Sequence, residues 1–309
     1  MEGRGIDVLA LGEVNVDLIM GGLSRLPDWG AEVLASGMDL RLGGSTANFA
    51  CACAALGLQV ELVAWVGRDA FGEFLLGELE RYRVGRRWVR RTDERPTGLT
   101  VSLSGHQDRA FVTALGTIDY LRAEDVPPEA LAAARHVHIG SFFLQAALQP
   151  GLAGLLERVR ATGATISLDT GYDPHEEWDS GLREVLGLAD VFLPNEVEAC
   201  NVTSLSDPRA AAQALAATGA LVVVKLGAEG ACAHDGTRLY EAPAFAVEVV
   251  DTTACGDAFN AGFLWAWLRG CGVAEALRFG NAAGALMAGA SGNDPTVLSA
   301  AAIEALAAS

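Results

Sequence analysis

Residues 249–262 read VVDTTACGDAFNAG: two strand-like valines, a turn of small residues, then an apolar helix that begins at Gly256 or Asp257. Backbone N–H groups at a helix start have no partner within the helix and lie at the positive end of its dipole. Because Ala254, Cys255 and Gly256 are small, an anion can approach those groups, and we expect an anion hole suited to a phosphoryl group in transfer. Asp257 can take a proton from an attacking hydroxyl, although spacing alone also allows an ordinary N-capping Asp.

Outside this stretch, short and nearly continuous apolar runs alternate with helix-like segments. The runs are Val8–Leu11, Val60–Val66, His136–Ile139, Thr165–Leu168, Val191–Leu193 and Leu221–Val224. The helical candidates lie near 45–56, 70–83, 150–162, 180–187, 207–218, 257–269, 274–290 and 298–308. Apolar runs of this kind are typical of parallel strands covered on both faces, so the alternation predicts an α/β fold with a mostly parallel sheet.

Two stretches predict a small β subdomain inserted into this body. In residues 98–104 apolar and polar side chains alternate, a polar turn follows at 105–108, and 109–113 can form a second strand. Residues 13–42 contain short strand candidates that are interrupted by Pro27, Gly30 and Gly37. We expect one domain over residues 1–309, with a lid from about 13–42 and 98–113.

Polar or glycine-bearing segments follow several of the predicted strands. These segments are 67–69, 140–141, 169–171, 194–198 and 225–230. In open parallel sheets, ligands bind beyond the carboxyl ends of the strands. Together the segments predict a polar ligand that lies across one edge of the sheet.

The composition excludes some classes of partner. The net charge of −17 argues against nucleic acid, whose phosphate backbone needs a cationic surface. No run of 18 uncharged apolar residues occurs, so no membrane partner is expected. The six cysteines form no CxxC pair, and the N-terminus does not resemble a signal peptide; both favour free thiols and a cytoplasmic location. Among the basic residues, Lys225 is the single lysine beside 21 arginines.

Four motifs give the chain a resemblance to the ribokinase, or PfkB, family of carbohydrate kinases. They are GGSTAN at 43–48, NxxE at 195–198, GxxG at 227–230 and DTTACGDAF at 251–259, in an order and spacing that agree from Leu11 to about Gly289. P-loop and protein-kinase motifs do not occur. The resemblance implies a ribokinase-like three-layer α/β/α sandwich, with a mostly parallel central sheet and a small β-sheet lid.

The resemblance also implies roles for particular residues. On the catalytic side, Asp257 is the general base, and the backbone of Ala254, Cys255, Gly256 and Asp257 stabilises the γ-phosphoryl group of ATP. The implied nucleotide-site residues are Asn195, Lys225, Gly227, Gly230 and Asn281, with Glu198 helping to place Mg²⁺ through water. The implied acceptor-site residues are Asn15, Asp17, Gly43, Gly44 and Asn48. Some relatives bind K⁺ near the loop at 251–253, and some form dimers through their lids, so both options extend to this chain.

The sequence departs from the commonest family pattern at Cys255, where relatives usually have Ala between two glycines. A thiol at a helix start predicts mild sensitivity to oxidants, although a small packing residue explains it too. The leading hypothesis is an ATP-dependent sugar or sugar-acid kinase. A nucleoside kinase remains an alternative, because Phe111, Phe142 and Phe143 could stack on a base. A phosphosugar kinase would need a basic cluster, for which Arg41 and Arg109 are isolated candidates, and a non-catalytic relative would be expected to have lost these motifs.

Overall fold

The computed structural model describes residues 5–105 and 109–309, and within them the chain forms two β-sheets and a set of helices. In chain order the strands are β1 (Ile6–Leu11), β2 (Asn15–Leu23), β3 (Gly37–Gly43), β4 (Val60–Gly67), β5 (Gly85–Thr92), β6 (Leu99–Gly105), β7 (Arg109–Ala114), β8 (Ala134–Ile139), β9 (Thr165–Leu168), β10 (Val191–Phe192), β11 (Leu221–Lys225), β12 (Ala231–His234) and β13 (Leu239–Ala242). The helices are α1 (Ser45–Ala55), α2 (Ala70–Arg81), α3 (Pro128–Ala133), α4 (Gln149–Thr162), α5 (Leu182–Leu186), α6 (Glu196–Thr203), α7 (Pro208–Ala216), α8 (Cys255–Trp267), α9 (Val273–Ala288) and α10 (Ala300–Ala307).

The large sheet has the strand order β13-β12-β11-β10-β9-β8-β1-β4-β5. Seven neighbouring strands of this sheet pair in parallel, in the order β5, β4, β1, β8, β9, β10 and β11. Strands β12 and β13 add an antiparallel edge beside β11. Two cores of buried apolar side chains cover it: one includes α1, α8 and α9, and the other includes α4 and α7. The predicted α/β fold with a mostly parallel sheet is confirmed.

The small sheet is the predicted lid and has the order β3-β2-β6-β7. The expected hairpin of β6 and β7 is antiparallel, and β2 pairs in parallel with β6. The polar turn predicted at 105–108 falls largely on residues 106–108, which lie outside the described residues. Glu13 and Val14 connect core strand β1 to lid strand β2, so the lid leaves the body beside the carboxyl end of β1.

Some elements were not predicted from the sequence. Strand β5 reads GRRWVRRT, in which arginines flank the only two large apolar residues, so it has no apolar run. Strands β12 and β13 have four residues each and show no clear alternation of apolar and polar side chains. The strand expected at Val249 and Val250 is wrong, because residues 243–250 form an irregular segment. Helix α8 begins at Cys255, one or two residues earlier than expected. Across the described ranges, every helix is too short or too polar to cross a lipid bilayer.

Candidate active site

The first turn of α8 presents its backbone to the carboxyl edge of the large sheet. Ala254 precedes the helix in a left-handed conformation (φ 58°), which is uncommon for a residue with a side chain and turns the chain sharply into α8. Asp257 is therefore the third residue of the helix, not its N-cap. Within the part of the chain described, the backbone N–H groups of Gly256 and Asp257 donate to no protein acceptor. These groups remain available to an anion at the positive end of the helix dipole.

Asp257 lines a cavity of about 410 Å³. Ser45, the first residue of α1, donates a hydrogen bond from Oγ to Oδ1 of Asp257 at 2.5 Å. Burial raises the pKa of Asp257 to about 7, with a further rise from the negative charge of Asp169, against the hydrogen bond from Ser45 and the charge of Lys225, which lower it. A carboxylate that titrates near neutral pH is well matched to general-base chemistry.

Lys225, at the end of β11, forms a buried ion pair beside this carboxylate. Its Nζ lies 2.7 Å from Oδ2 of Asp169 and 3.3 Å from Oδ1 of Asn260, and a Cβ added to Gly256 would lie 3.8 Å from Nζ. Burial alone would lower the pKa of Lys225, but the charges of Asp169 and Glu198 outweigh it and raise that pKa. The ammonium is therefore held in its charged form next to the anion hole.

A second cavity, of about 440 Å³, opens on the other side of Lys225 and is mainly apolar. Its lining includes Phe245, Val247, Phe259, Ala285, Ala288, Cys255 and Asn281. Gly230, at the turn after β11, has φ 101°, and a Cβ there would lie 2.2 Å from the carbonyl oxygen of Ala242, so only glycine fits. Asn281 donates from Nδ2 to the carbonyls of Ala242 and Pro243, which holds the segment after β13 against α9. Lys225, Gly227 and Gly256 line both cavities.

Asn195 and Glu198 form a reciprocal cap at the start of α6. Oδ1 of Asn195 accepts from the N–H of Glu198, and the carboxylate of Glu198 accepts from both the N–H and Nδ2 of Asn195. Thr170 donates a further hydrogen bond to Glu198. Both carboxylate oxygens are thus engaged by protein donors while the side chains line the 410 Å³ cavity.

Four of the five predicted acceptor residues cluster where β2 meets β3. Nδ2 of Asn15 donates to Oδ1 of Asp17 at 2.9 Å, and Asn15 pairs with Gly43 across the two strands. A Cβ at Gly43 would lie 2.3 Å from the carboxyl carbon of Asp17, and one at Gly44 would lie 2.9 Å from Oδ1 of Asn15. Both glycines therefore give room to polar side chains of β2. Burial raises the pKa of Asp17 to about 6.

The comparison with protein families gives one match over most of the sequence. The model described as "pfkB family carbohydrate kinase" matches residues 6–299. The chain belongs to the pfkB family of carbohydrate kinases.

Two curated relatives and one solved structure are similar to this pfkB kinase over more than four fifths of its length. The chain is 32% identical to an ATP-dependent ribose-1-phosphate kinase of Halopiger xanaduensis over 93% of each chain. It is 31% identical to a 2-dehydro-3-deoxygluconokinase of Bacillus subtilis over 82% of each chain. A fructokinase of Xylella fastidiosa, solved with bound ATP, superposes with a TM-score of 0.83 at 26% identity, covering 97% of each chain.

In this pfkB kinase, Asn48 lies next to another predicted acceptor residue, since its N–H donates to the carbonyl oxygen of Gly44 at 2.8 Å. It lines a polar cavity of about 240 Å³ together with Arg41 and residues after α9, and Asp257 does not border that cavity. Asn293 donates to Oδ1 of Asn48 at 2.9 Å. Arg41 is paired with Asp39 at 2.6 Å, so its charge is already balanced.

Several polar residues near the site were not assigned from the sequence. Glu13 is buried and accepts hydrogen bonds from Thr46, Ser141 and Gln145, which ties the entrance of the lid to α1. The sequence pattern marks Asp169 only as part of a polar strand end, and Asn260 lies on the second turn of α8. Ser45 belongs to the GGSTAN motif at 43–48, but the motif assigns it no function.

Two aromatic candidates for stacking on a base are wrong. Phe142 and Phe143 are buried in the second core, whereas Phe111 is 62% exposed on lid strand β7.

Proposed function

We propose that this enzyme transfers the γ-phosphoryl group of ATP to a hydroxyl of a sugar or sugar acid, with Asp257 as the general base. One observation carries the proposal: the apolar cavity and the cavity of Asp257 meet at Lys225, Gly227 and Gly256. A nucleotide whose base occupied the first cavity would extend its phosphates past Lys225 into the second. The γ-phosphoryl group would then lie beside both the base and the start of α8.

The first cavity suits adenine because it is apolar, with a small number of polar groups at its margins. Gly227 and Gly230 allow the backbone of the turn after β11 to approach the nucleotide closely. The fructokinase of similar fold carries ATP, which supports the same ligand here.

The residues present also fit Mg²⁺ held through water. Both oxygens of Glu198 already accept hydrogen bonds, and in the described residues no group of three or more His, Cys, Asp or Glu side chains could enclose an ion. Mg²⁺ usually retains several waters and takes its remaining ligands from one or two carboxylates and from substrate phosphates. When bound, it would neutralise phosphate charge, with Asn195 and Glu198 orienting its waters.

In the proposed reaction, Asp17 accepts hydrogen bonds from the acceptor, while Gly43 leaves room for the carboxylate of Asp17 and Gly44 leaves room for Asn15. Asp257 takes the proton of the attacking hydroxyl, the new O–P bond forms, and the bond from the γ-phosphorus to the bridging oxygen breaks to release ADP. The N–H groups of Gly256 and Asp257, together with the ammonium of Lys225, stabilise the charge on the transferring group.

The substrate class follows from what surrounds the acceptor side. With Phe142 and Phe143 in the core, only Phe111 of the three candidates remains to stack on a base, so a nucleoside acceptor ranks second. Arg41 is neutralised by Asp39, and the side chain of Arg109 lies outside the described residues, so support for a second phosphate group comes from relatives named a ribose-1-phosphate kinase and a 6-phosphofructokinase. We keep a K⁺ site at residues 251–253 as part of the proposal, to be tested by turnover with and without K⁺. In the described residues the six cysteines form no disulfide, which supports a reducing, cytoplasmic compartment as part of the proposal.

The lid supports a homodimer in this proposal. Successive residues of a strand face opposite sides, so Asp17, Arg41 and Thr100, which pair across the lid, share the acceptor side. The opposite side is wholly apolar. It consists of Val16, Leu18, Met20, Met38, Leu40, Leu42, Leu99, Val101, Leu103, Ala110, Val112 and Ala114. The inner end of this side belongs to the first core, where Val16 and Leu42 are buried and Leu40 and Leu99 pack against them. The outer end, with Met38 and Val112 exposed, faces away from Asp17, so covering the acceptor does not explain it and a second copy of the chain would.

The experiment measures ADP release with Mg-ATP against ketoses, aldoses, sugar acids, phosphosugars and nucleosides. Asp257→Asn keeps the shape of the side chain, so it should still bind ATP but lose on the order of 10²-fold or more in turnover. Calorimetric titration with ATP checks binding. Turnover retained in Asp257→Asn would rule out the base, and silence across the whole panel with ATP bound would overturn the acceptor class.

A further inference from the structure

Ser45 is turned toward the catalytic base and not toward its own helix. It is the first residue of α1, and in the described part of the chain its one side-chain hydrogen bond goes to Oδ1 of Asp257. The neighbouring Thr46 directs its hydroxyl elsewhere, to the carboxylate of Glu13 at 2.6 Å. Ser45 also lines the 410 Å³ cavity beside Asn195 and Lys225. The hydroxyl therefore occupies the position on the base that a reacting hydroxyl needs.

A base next to a γ-phosphoryl group creates a hazard when no acceptor is bound. Water could take the acceptor's place on Asp257, give up its proton and attack phosphorus, which would consume ATP. The cavity is open enough to admit water, and a free carboxylate oxygen would hold it. Ser45 already occupies Oδ1 of Asp257, so water would have to displace it to be activated at that oxygen.

We propose that Ser45 is a guard residue, whose hydroxyl occupies Asp257 and suppresses hydrolysis of ATP until the acceptor displaces it. This inference rests on the proposed function, since it needs Asp257 as the base. In the proposed reaction the acceptor is also held at Asp17, so its hydroxyl would compete with Ser45 as a group fixed in place. Water has no second anchor and competes poorly with a serine tethered to α1.

Ser45→Ala removes the hydroxyl and leaves space beside the carboxylate for one water. In that variant the water gives a proton to Asp257, its oxygen bonds to the γ-phosphorus, and the bond to the bridging oxygen breaks to give ADP and inorganic phosphate. A purely structural role for Ser45 predicts a loss of activity, whereas the guard role predicts a gain.

The test measures ADP release from Mg-ATP alone, without any acceptor. We expect Ser45→Ala to release ADP roughly tenfold faster than the unaltered enzyme, a gain below the roughly 10²-fold or more of a well-positioned general base, because the water is held only by Asp257. Ser45→Thr keeps a hydroxyl and should remain slow. Thr46→Val is the matched control, because it removes the adjacent hydroxyl, which binds Glu13 instead of Asp257. The double variant Ser45→Ala with Asp257→Asn should lose the gain.

Three results would overturn the guard role. They are no gain in Ser45→Ala, an equal gain in Thr46→Val, and a phosphate found on Ser45 by mass spectrometry, which would make the hydroxyl an acceptor. If the unaltered enzyme phosphorylates an acceptor while Ser45→Ala shows no gain, the guard role fails alone. If the gain persists without Asp257, the base assignment fails as well.

Discussion

At the scale of single residues, the environment of Asp257 sets how activity depends on pH. Burial raises its pKa to about 7, and only the deprotonated carboxylate can accept a proton. We therefore expect kcat/KM to rise about tenfold per pH unit below that value and to level off above it. A profile of ADP release from pH 5 to 9 measures this. The pKa of Asp17 is about 6, so its titration can add a second bend to the pH–rate profile. Asp17→Asn should remove that bend and keep the bend near pH 7.

The same shift also has a consequence for stability. A carboxyl group whose pKa is raised by folding stabilises the folded state below its ordinary value of 3.8, and that contribution is lost as the pH rises through about 7. Asp257 therefore costs stability at the pH at which the proposed base is deprotonated. A strained or desolvated group at a functional site commonly lowers the stability of the fold while it favours activity.

The ion pair of Lys225 and Asp169 can be separated into a structural and a chemical role. Their side chains are only 14% and 5% exposed, so Lys225→Met leaves a buried charge unpaired and should lower the free energy of unfolding by about 3 kcal/mol. Adding Asp169→Asn removes that charge and should restore most of the stability. Activity should stay low in both variants, because the ammonium beside the anion hole is gone. Urea unfolding and ADP release measure the two effects, and activity restored together with stability would contradict a chemical role for Lys225.

At the scale of elements, the sequence predicted those whose pattern is local. Strand β9 and helix α2 have clear apolar spacing and, for α2, a capping Asp69 whose side chain accepts from Gly72, and both were found close to the expected bounds. Strand β5 was missed because its arginines lie on exposed positions, and only its pairing with β4 makes it a strand. The start of α8 depends on the left-handed backbone of Ala254, and an alanine does not predict that conformation.

The lid shows what pairing adds to an element. Alternation in residues 98–104 predicted a half-exposed strand, but not which face would meet the acceptor. Pairing of Asp17 with Thr100, and of Leu18 with Val101, places the acceptor residue and the apolar row on opposite faces. Register between distant strands depends on the whole sheet, so it lay beyond a sequence pattern.

At the scale of the whole molecule, the sequence predicted the parts of the site but not their contacts. Motifs that are far apart in sequence, at 43–48, 195–198, 227–230 and 251–259, supplied most of the residues that line the two cavities. The bonds of Ser45 to Asp257 and of Lys225 to Asp169 span 212 and 56 residues, and no local pattern encodes them. Asn48, taken into the acceptor site by its motif, lines a different cavity.

The outer part of the apolar side of the lid predicts that two copies of the chain assemble there. Met38 and Val112 are 71% and 61% exposed there, on the two outer strands, and such a surface on a soluble protein usually marks an interaction site. Val112→Glu would place a charge within the interface of two lids, where it would remain unpaired and desolvated, so we expect a dimer to become a monomer. Leu239→Glu is the matched control: it introduces the same charge at an exposed apolar position on β13, at the far edge of the large sheet, and should remain a dimer. Light scattering after size-exclusion chromatography measures both masses. Assembly through this face would be contradicted if the unaltered enzyme is a monomer, or if Val112→Glu remains a dimer. Either result would mean that the apolar side of the lid does not bind a second copy of the chain.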